Sequence, residues 1–136
     1  LNSSGFDPSL FHDDDGRKYL VNMRWDYRPG LNRFGGIVLQ EYLPDTRQLS
    51  GPVHVIFGGT SIGFTDAPHL YKRNGYYYLI TAEGGTGWGH AVTMVRSRKL
   101  ADMRSCWAVV RIDVMPTNDR MNNRMRPTNR MEPFSR

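Results

Sequence analysis

Through the first hundred residues, apolar and polar positions alternate over short runs that are separated by turn residues. A period of two over four to eight residues predicts β-strands with one buried face. Ser9–His12 is a short apolar strand, and Asp13-Asp14-Asp15-Gly16 supplies a hairpin turn whose glycine tolerates positive φ. Lys18–Met23 gives a second strand. Pro29, Gly30, Gly35 and Gly36 mark residues 26–36 as a loop. Gly36–Tyr42 and Pro52–Phe57 complete a four-stranded unit. A second unit starts at Ala67–Tyr71, turns at Asn74-Gly75 and continues through Tyr76–Thr81. After a Gly-rich loop from Glu83 to Gly89 comes a third strand, His90–Arg96, and the fourth is expected after Leu100. The fold class this predicts is all-β.

The two units resemble each other. Asp7-Pro8-Ser9-Leu10-Phe11 through Gly16-Arg17-Lys18-Tyr19-Leu20 returns 59 residues later as Asp66-Ala67-Pro68-His69-Leu70 through Gly75-Tyr76-Tyr77-Tyr78-Leu79. In a radially repeated β architecture, equivalent positions converge on one axis. Asp7 and Asp66 are therefore expected to meet, as equivalent residues of successive blades.

Residue usage changes at Ala101. All 14 Gly and all 7 Tyr precede it, while five of the seven Met follow it. Pro-Thr-Asn occurs twice and Arg-Met three times in this tail. A strand within Cys106–Val114 fits Trp107, Val109, Val110 and Ile112; beyond Met115 the absence of apolar periodicity predicts disorder. Such a shift is what a changed reading frame or an unrelated appended segment produces. The division expected is 1–58 as one blade, 59–100 as an incomplete second blade, and 101–136 as an atypical basic tail.

Charge adds little to this picture. Of the net +5, most comes from the tail, where seven Arg face four acids, so the basicity is not a binding face and no nucleic-acid motif accompanies it. No run approaches the roughly 18 apolar residues of a membrane span, and nothing at the start reads as a signal peptide. A cytoplasmic location is the expectation, with no membrane or nucleic-acid partner. The single Cys106 excludes an internal disulfide. The start at Leu1 reads as part of a longer protein.

Phe6-Asp7-Pro8-Ser9-Leu10-Phe11-His12-Asp13-Asp14-Asp15-Gly16-Arg17-Lys18-Tyr19-Leu20-Val21-Asn22-Met23 resembles the third-blade opening of glycoside hydrolase family 43, in its β-xylosidase and α-L-arabinofuranosidase branch. Pro68-His69-Leu70-Tyr71-Lys72-Arg73-Asn74-Gly75-Tyr76-Tyr77-Tyr78-Leu79 and the following Thr81–Thr93 segment resemble it too, and the resemblance runs to about residue 100. It implies about two four-stranded blades of a five-bladed β-propeller. It also implies inverting hydrolysis of xylo-oligosaccharides or arabinosyl linkages, with no cofactor. The family uses a general-base Asp in its first blade, an Asp that tunes the acid, and a general-acid Glu. The tuning Asp falls on Asp7. The acid's Thr-Glu-Gly-Pro-His motif is Thr65-Asp66-Ala67-Pro68-His69 here, with Asp and Ala in place of Glu and Gly. The blade carrying the base is not in this chain.

Inverting hydrolysis needs a protonated carboxyl for the leaving oxygen and an ionised one to activate water on the opposite face. A third carboxylate beside the acid favours its protonated form. Asp66 as acid and Asp7 as modulator fit those roles. Asp66 is one methylene shorter than Glu, and a shift of about 1 Å can cost about 10²-fold in rate. Either Asp also reads as a turn-capping residue. Asp13–Asp15 lack the spacing and distal Glu of a calcium loop, so they read as a solvated turn and no metal is expected. Trp25 reads as a sugar platform or as a core residue. Arg33 and Phe34 on the same loop, with Thr86, Trp88 and His90 in or after the Gly-rich loop, are candidate pocket residues. Gly84-Gly85-Thr86-Gly87 lacks the Lys-Ser/Thr of a phosphate loop. His12 sits at a turn, His54 on an exposed strand, and His69 is expected to hydrogen-bond locally. No Ser/His/Asp or Cys/His set is present.

Three functional readings follow. One is a glycosidase segment without activity alone, because the base is absent. Another is a non-catalytic carbohydrate-binding segment. The third is a segment with no function in isolation, since two blades cannot close a ring and leave strand edges exposed. Xylose versus arabinose preference and oligomeric state are left open.

Overall fold

The structure, a computed structural model, describes residues 5–30 and 33–103 and the backbone of 109–113. Two four-stranded sheets form, with strand orders β1-β2-β3-β4 and β5-β6-β7-β8 and antiparallel pairing throughout. The first contains β1 (Phe6–His12), β2 (Lys18–Trp25), β3 (Phe34–Leu43) and β4 (Gln48–Phe57). The second contains β5 (Asp66–Arg73), β6 (Tyr76–Glu83), β7 (Ala91–Ser97) and β8 (Val109–Asp113). Each sheet is one propeller blade, built as a meander of consecutive hairpins.

Most strands run one to four residues past their predicted ends. β3 starts at Phe34 rather than Gly36, since Trp25 pairs with Phe34 across a register shift that the glycines accommodate. β8 pairs along β7 from Ala91↔Asp113 to Val95↔Val109, within the segment where a fourth strand was expected. The disorder expected beyond Met115 falls outside the described residues.

Period-two patterning puts the core on the facing sides of the sheets. Phe11, Tyr19, Val21, Met23, Ile37, Leu39, Ile56 and Phe57 of the first blade join Leu70, Leu79, Val95 and Met103 of the second in one buried cluster. Along β6 and β7 this inner face grades from apolar to polar. Leu79 pairs with Val95, Thr81 with Thr93, and Glu83 with Ala91. The polar end coincides with the starts of β1 and β5, where Asp7 and Asp66 lie.

At the opposite end the blades are fastened together. Lys72 Nζ lies 2.5 Å from Asp13 Oδ1 and 3.1 Å from Asp14 Oδ2, and the Tyr77 hydroxyl donates to Asp13 Oδ2 at 2.7 Å. Asp13 is thus not the solvated turn residue expected of it, because its side chain is only 5% exposed. The run Asp13–Asp15 looks solvated in sequence because the partners come from the other blade. No helix among the described residues is long and apolar enough to cross a membrane.

Candidate functional site

The starts of β1 and β5 are both bulged. Pairing jumps from Phe6↔Met23 to Ser9↔Val21, and from Asp66↔Ala82 to His69↔Ile80. Two residues, Asp7-Pro8 or Ala67-Pro68, thus stand against one, Asn22 or Thr81. The first residue of each bulge is left-handed, with φ of 52° at Asp7 and 46° at Ala67. Phe64 has φ of 51° as well. Left-handed backbone in three non-glycine residues around one place is local strain of the kind found at functional sites.

This register corrects the repeat as read from sequence. The bulges align Phe6 with Asp66, Asp7 with Ala67 and Pro8 with Pro68, so Asp7 and Asp66 are not equivalent residues. The sequence frame followed the second strands, which match at 59 residues, whereas the first strands match at 60 and the intervening hairpin is one residue shorter.

The acids still come together. Ala67 N–H donates to Asp7 Oδ2 at 3.2 Å, bringing the Asp7 carboxylate to the peptide next to Asp66. Asp66 is half-buried, and its pKa is raised first by burial and then by the Asp7 charge, with His90 opposing. Burial and a second carboxylate both favour the protonated form of this acid.

The chain matches the family described as "Glycosyl hydrolases family 43" over residues 1–123. It belongs to that family. It is 62% identical to "Xylosidase/arabinosidase 43B" of Humicola insolens and 58% identical to "Beta-xylosidase" of Bacillus subtilis (strain 168). Each of those matches covers 100 residues, 74% of this chain and 19% of the relative. The xylan β-1,4-xylosidase from Bacillus halodurans C-125 superposes with a TM-score of 0.72 at 61% identity, over 75% of this chain and 20% of that one. The chain therefore spans about a fifth of the length of the relatives it matches. The family match runs to residue 123, while the matches to these relatives span 100 residues.

Around the acids, the strand register gathers the remaining candidates of this family 43 chain at the same end of the sheets. Trp25 ends β2 and is half-buried, edge-on to Phe6 with centroids 5.6 Å apart and packed against the core. Phe34 starts β3 opposite Trp25 and also packs against the core. Arg33 is exposed, and its carbonyl accepts the Asp26 N–H at 2.6 Å. Thr86 and Trp88 are exposed in the loop between β6 and β7, Trp88 at 81%. His90 closes that loop, its Nδ1 lying 2.8 Å from Gly85 O, which places a proton on Nδ1 because the carbonyl only accepts.

Two features escaped the sequence reading. Phe64, 79% exposed, stands two residues before Asp66. Glu83 is fully buried and accepts four hydrogen bonds, from Thr60 N and the hydroxyls of Thr60, Thr65 and Thr93. Its signal was present: Leu79, Thr81 and Glu83 continue one inward-facing period-two row, and a carboxylate in such a row must find donors. Among the described residues, no group of three or more His, Cys, Asp or Glu is placed to hold a metal ion.

Proposed function

We propose that the chain supplies the general acid and its tuning carboxylate to an inverting glycoside hydrolase acting on xylan-derived oligosaccharides, of the β-xylosidase or arabinofuranosidase type. Asp66 is the acid and donates its proton to the glycosidic oxygen as the C–O bond breaks. Asp7 keeps that proton in place and orients the peptide beside it. Trp25, Phe34, Arg33, Thr86, Trp88 and His90 line the sugar site. The observation that carries this reading is a half-buried Asp66 placed beside the Asp7 carboxylate, which accepts the adjoining Ala67 N–H; burial and the Asp7 charge both raise the Asp66 pKa. The names of the relatives, a xylosidase/arabinosidase and a β-xylosidase, support the substrate class.

The attacking water requires a base carboxylate roughly 6.5–9.5 Å from the acid. At this end of the described sheets the other acids are committed. Asp26 is held down to about 2 by hydrogen bonds from Arg28, and Glu83 is enclosed by its four donors. The chain alone is therefore expected to give no turnover of an aryl β-xyloside.

The test is a chimera in which residues 5–100 replace the matched segment of the Bacillus halodurans enzyme. Slow hydrolysis of aryl β-xyloside is expected, rising about 10²-fold in Asp66→Glu, because the proton regains the reach of the longer side chain. Loss of hydrolysis in Asp66→Ala completes the assignment. Equal rates in Asp66→Ala and the parent chimera would remove Asp66 from the reaction. A second reading, a carbohydrate-binding segment with a disabled acid, is favoured by the short Asp66 side chain and by the left-handed Ala67, where a Cβ is strained. Under it the chimera binds xylobiose, and Asp66→Glu does not raise the rate.

A further inference from the structure

We infer that Glu83 is the positioning residue that sets the Asp66 carboxyl against Asp7, by fastening the connection that leads into Asp66 to the inner ends of β6 and β7. This rests on the reading of Asp66 and Asp7 as an acid and its tuning partner. Glu83 is 0% exposed. Its Oε1 accepts Thr60 N–H at 2.8 Å and the Thr65 hydroxyl at 2.7 Å, and its Oε2 accepts the hydroxyls of Thr60 at 2.5 Å and Thr93 at 2.6 Å. A carboxylate offers about four acceptor sites, and all are filled. Burying a charge is tolerable only with such compensation.

The donors show what the side chain is for. Thr93 lies on β7, beside Glu83's own strand, but Thr60 and Thr65 belong to the connection between the blades. Thr65 immediately precedes Asp66 and is only 2% exposed. It sits between left-handed Phe64 and left-handed Ala67, so it is the fixed point of a strained stretch. Gly84 N–H donates to Gly63 O at 2.8 Å, a second strap one residue beyond Glu83. On its other side Glu83 opens the loop that returns at His90, which acts electrostatically on Asp66. That loop is closed by the Nδ1 contact and by His90 N–H to Gly87 O at 3.1 Å. One side chain thus fixes the residue before the acid at the strand end from which the facing loop departs.

A blade does not need this device merely to fold. The first blade has Arg24 at the place of Glu83, counted from the paired Met23 and Ala82, and its guanidinium donates to Gly35 O at 3.1 Å. The hub occurs in the blade that carries the acid.

The experiment is a pH titration of the Asp66 carboxyl by carbon NMR in the full 136-residue chain. In the parent chain Asp66 is expected above the ordinary aspartate range, and Asp7→Asn lowers it. Absence of that coupling sinks the acid-pair reading whatever Glu83 does. Thr65→Val removes one bond to Glu83 at nearly constant volume and is expected to bring Asp66 down toward the ordinary range, while Thr65→Ser keeps the parental titration. Thr93→Val removes an equal bond from the same carboxylate on the far side and is expected to lower stability without moving Asp66. With parental coupling intact, equal shifts in the two valine variants, or no shift in Thr65→Val, overturn the inference. Should Thr65→Val not fold, Thr65→Ala replaces it. If neither folds while Thr93→Val does, the bond serves folding alone and the inference falls.

Discussion

In the first blade the left-handed bulge residue is Asp7 and the residue before it is Phe6; in the second, those two places hold Ala67 and Asp66. The backbone device is the same and the carboxylates are displaced by one residue. Successive strand residues point to opposite faces, and a bulge re-aims the side chains around it. Two acids from non-equivalent places can therefore address one space, with the Ala67 N–H bridging toward Asp7. Repetition supplies the scaffold, and the one-residue displacement separates the roles.

The blades differ most at Arg24 and Glu83, and that is where the largest effect is expected. Glu83→Ala leaves a half-buried peptide N–H and three hydroxyls, two of them buried, without their acceptor, an expected loss of about 3–5 kcal/mol. Arg24→Ala removes one bond to a half-covered carbonyl, with an expected loss under about 1 kcal/mol. Urea unfolding of both variants checks the pair. Similar losses would mean that the two places serve the blades alike, and the contrast drawn between them would be lost.

Next in size is the fastening between blades at the far end. Tyr77→Phe deletes the hydroxyl that donates to Asp13 and is expected to lower stability by about 1 kcal/mol. Burial raises the Asp13 pKa, but the bonds from Lys72 and Tyr77 outweigh it and hold the carboxyl below its usual range. A depressed carboxyl contributes stability that is whole above the unfolded value of about 3.9 and is lost as pH falls through the folded value. Unfolding midpoints measured downward from neutral pH should show the parent chain losing its advantage over Asp13→Asn in that acid window. An advantage independent of pH would show that Asp13 does not act through its charge.

Both ends show why sequence reading went only part of the way. The strands were legible because period-two patterning and turn chemistry are local, as at Asn74-Gly75. The acids were legible as a pair, but their register was not. The second strands repeat at 59 residues and carry the clearer signal in Tyr-Leu, whereas the bulge that sets the first strands at 60 appears only in the pairing. Asp13 was misread because Lys72 and Tyr77 lie 59 and 64 residues away. Glu83 was passed over because its position was assigned to a loop, although it closes the inward row of β6. What was missed in each case is a contact between distant segments, which no local pattern encodes.

The equivalence of the bulges predicts a smaller effect. Ala67 gains nothing from left-handed backbone, and Gly adopts it freely, so Ala67→Gly should raise stability by about 0.5–1 kcal/mol. Asp7→Gly should not give that gain, since Asp tolerates this conformation better than Ala and its carboxylate accepts the Ala67 N–H. Thermal unfolding of the two variants reads the difference. Equal gains at both places would show that Asp7 contributes no bond there.

The smallest effect expected is the one that separates the two acids by sign. Asp66 is raised by burial and by Asp7, so the folded chain holds its proton more tightly than the unfolded chain does. That contribution is whole below the unfolded aspartate pKa and is lost as pH rises through the folded one, the reverse of Asp13. Above that range the ionised Asp66 is disfavoured by burial and by the Asp7 charge, which His90 offsets only in part. Asp66→Asn should therefore stabilise the chain at pH 7, by only a few tenths of a kcal/mol because the carboxyl is half-exposed and screened. The gain should vanish under acid conditions and shrink in salt. A stabilisation that persists unchanged at acid pH would come from side-chain packing instead, and Asp66 would lose its standing as a carboxyl perturbed by Asp7.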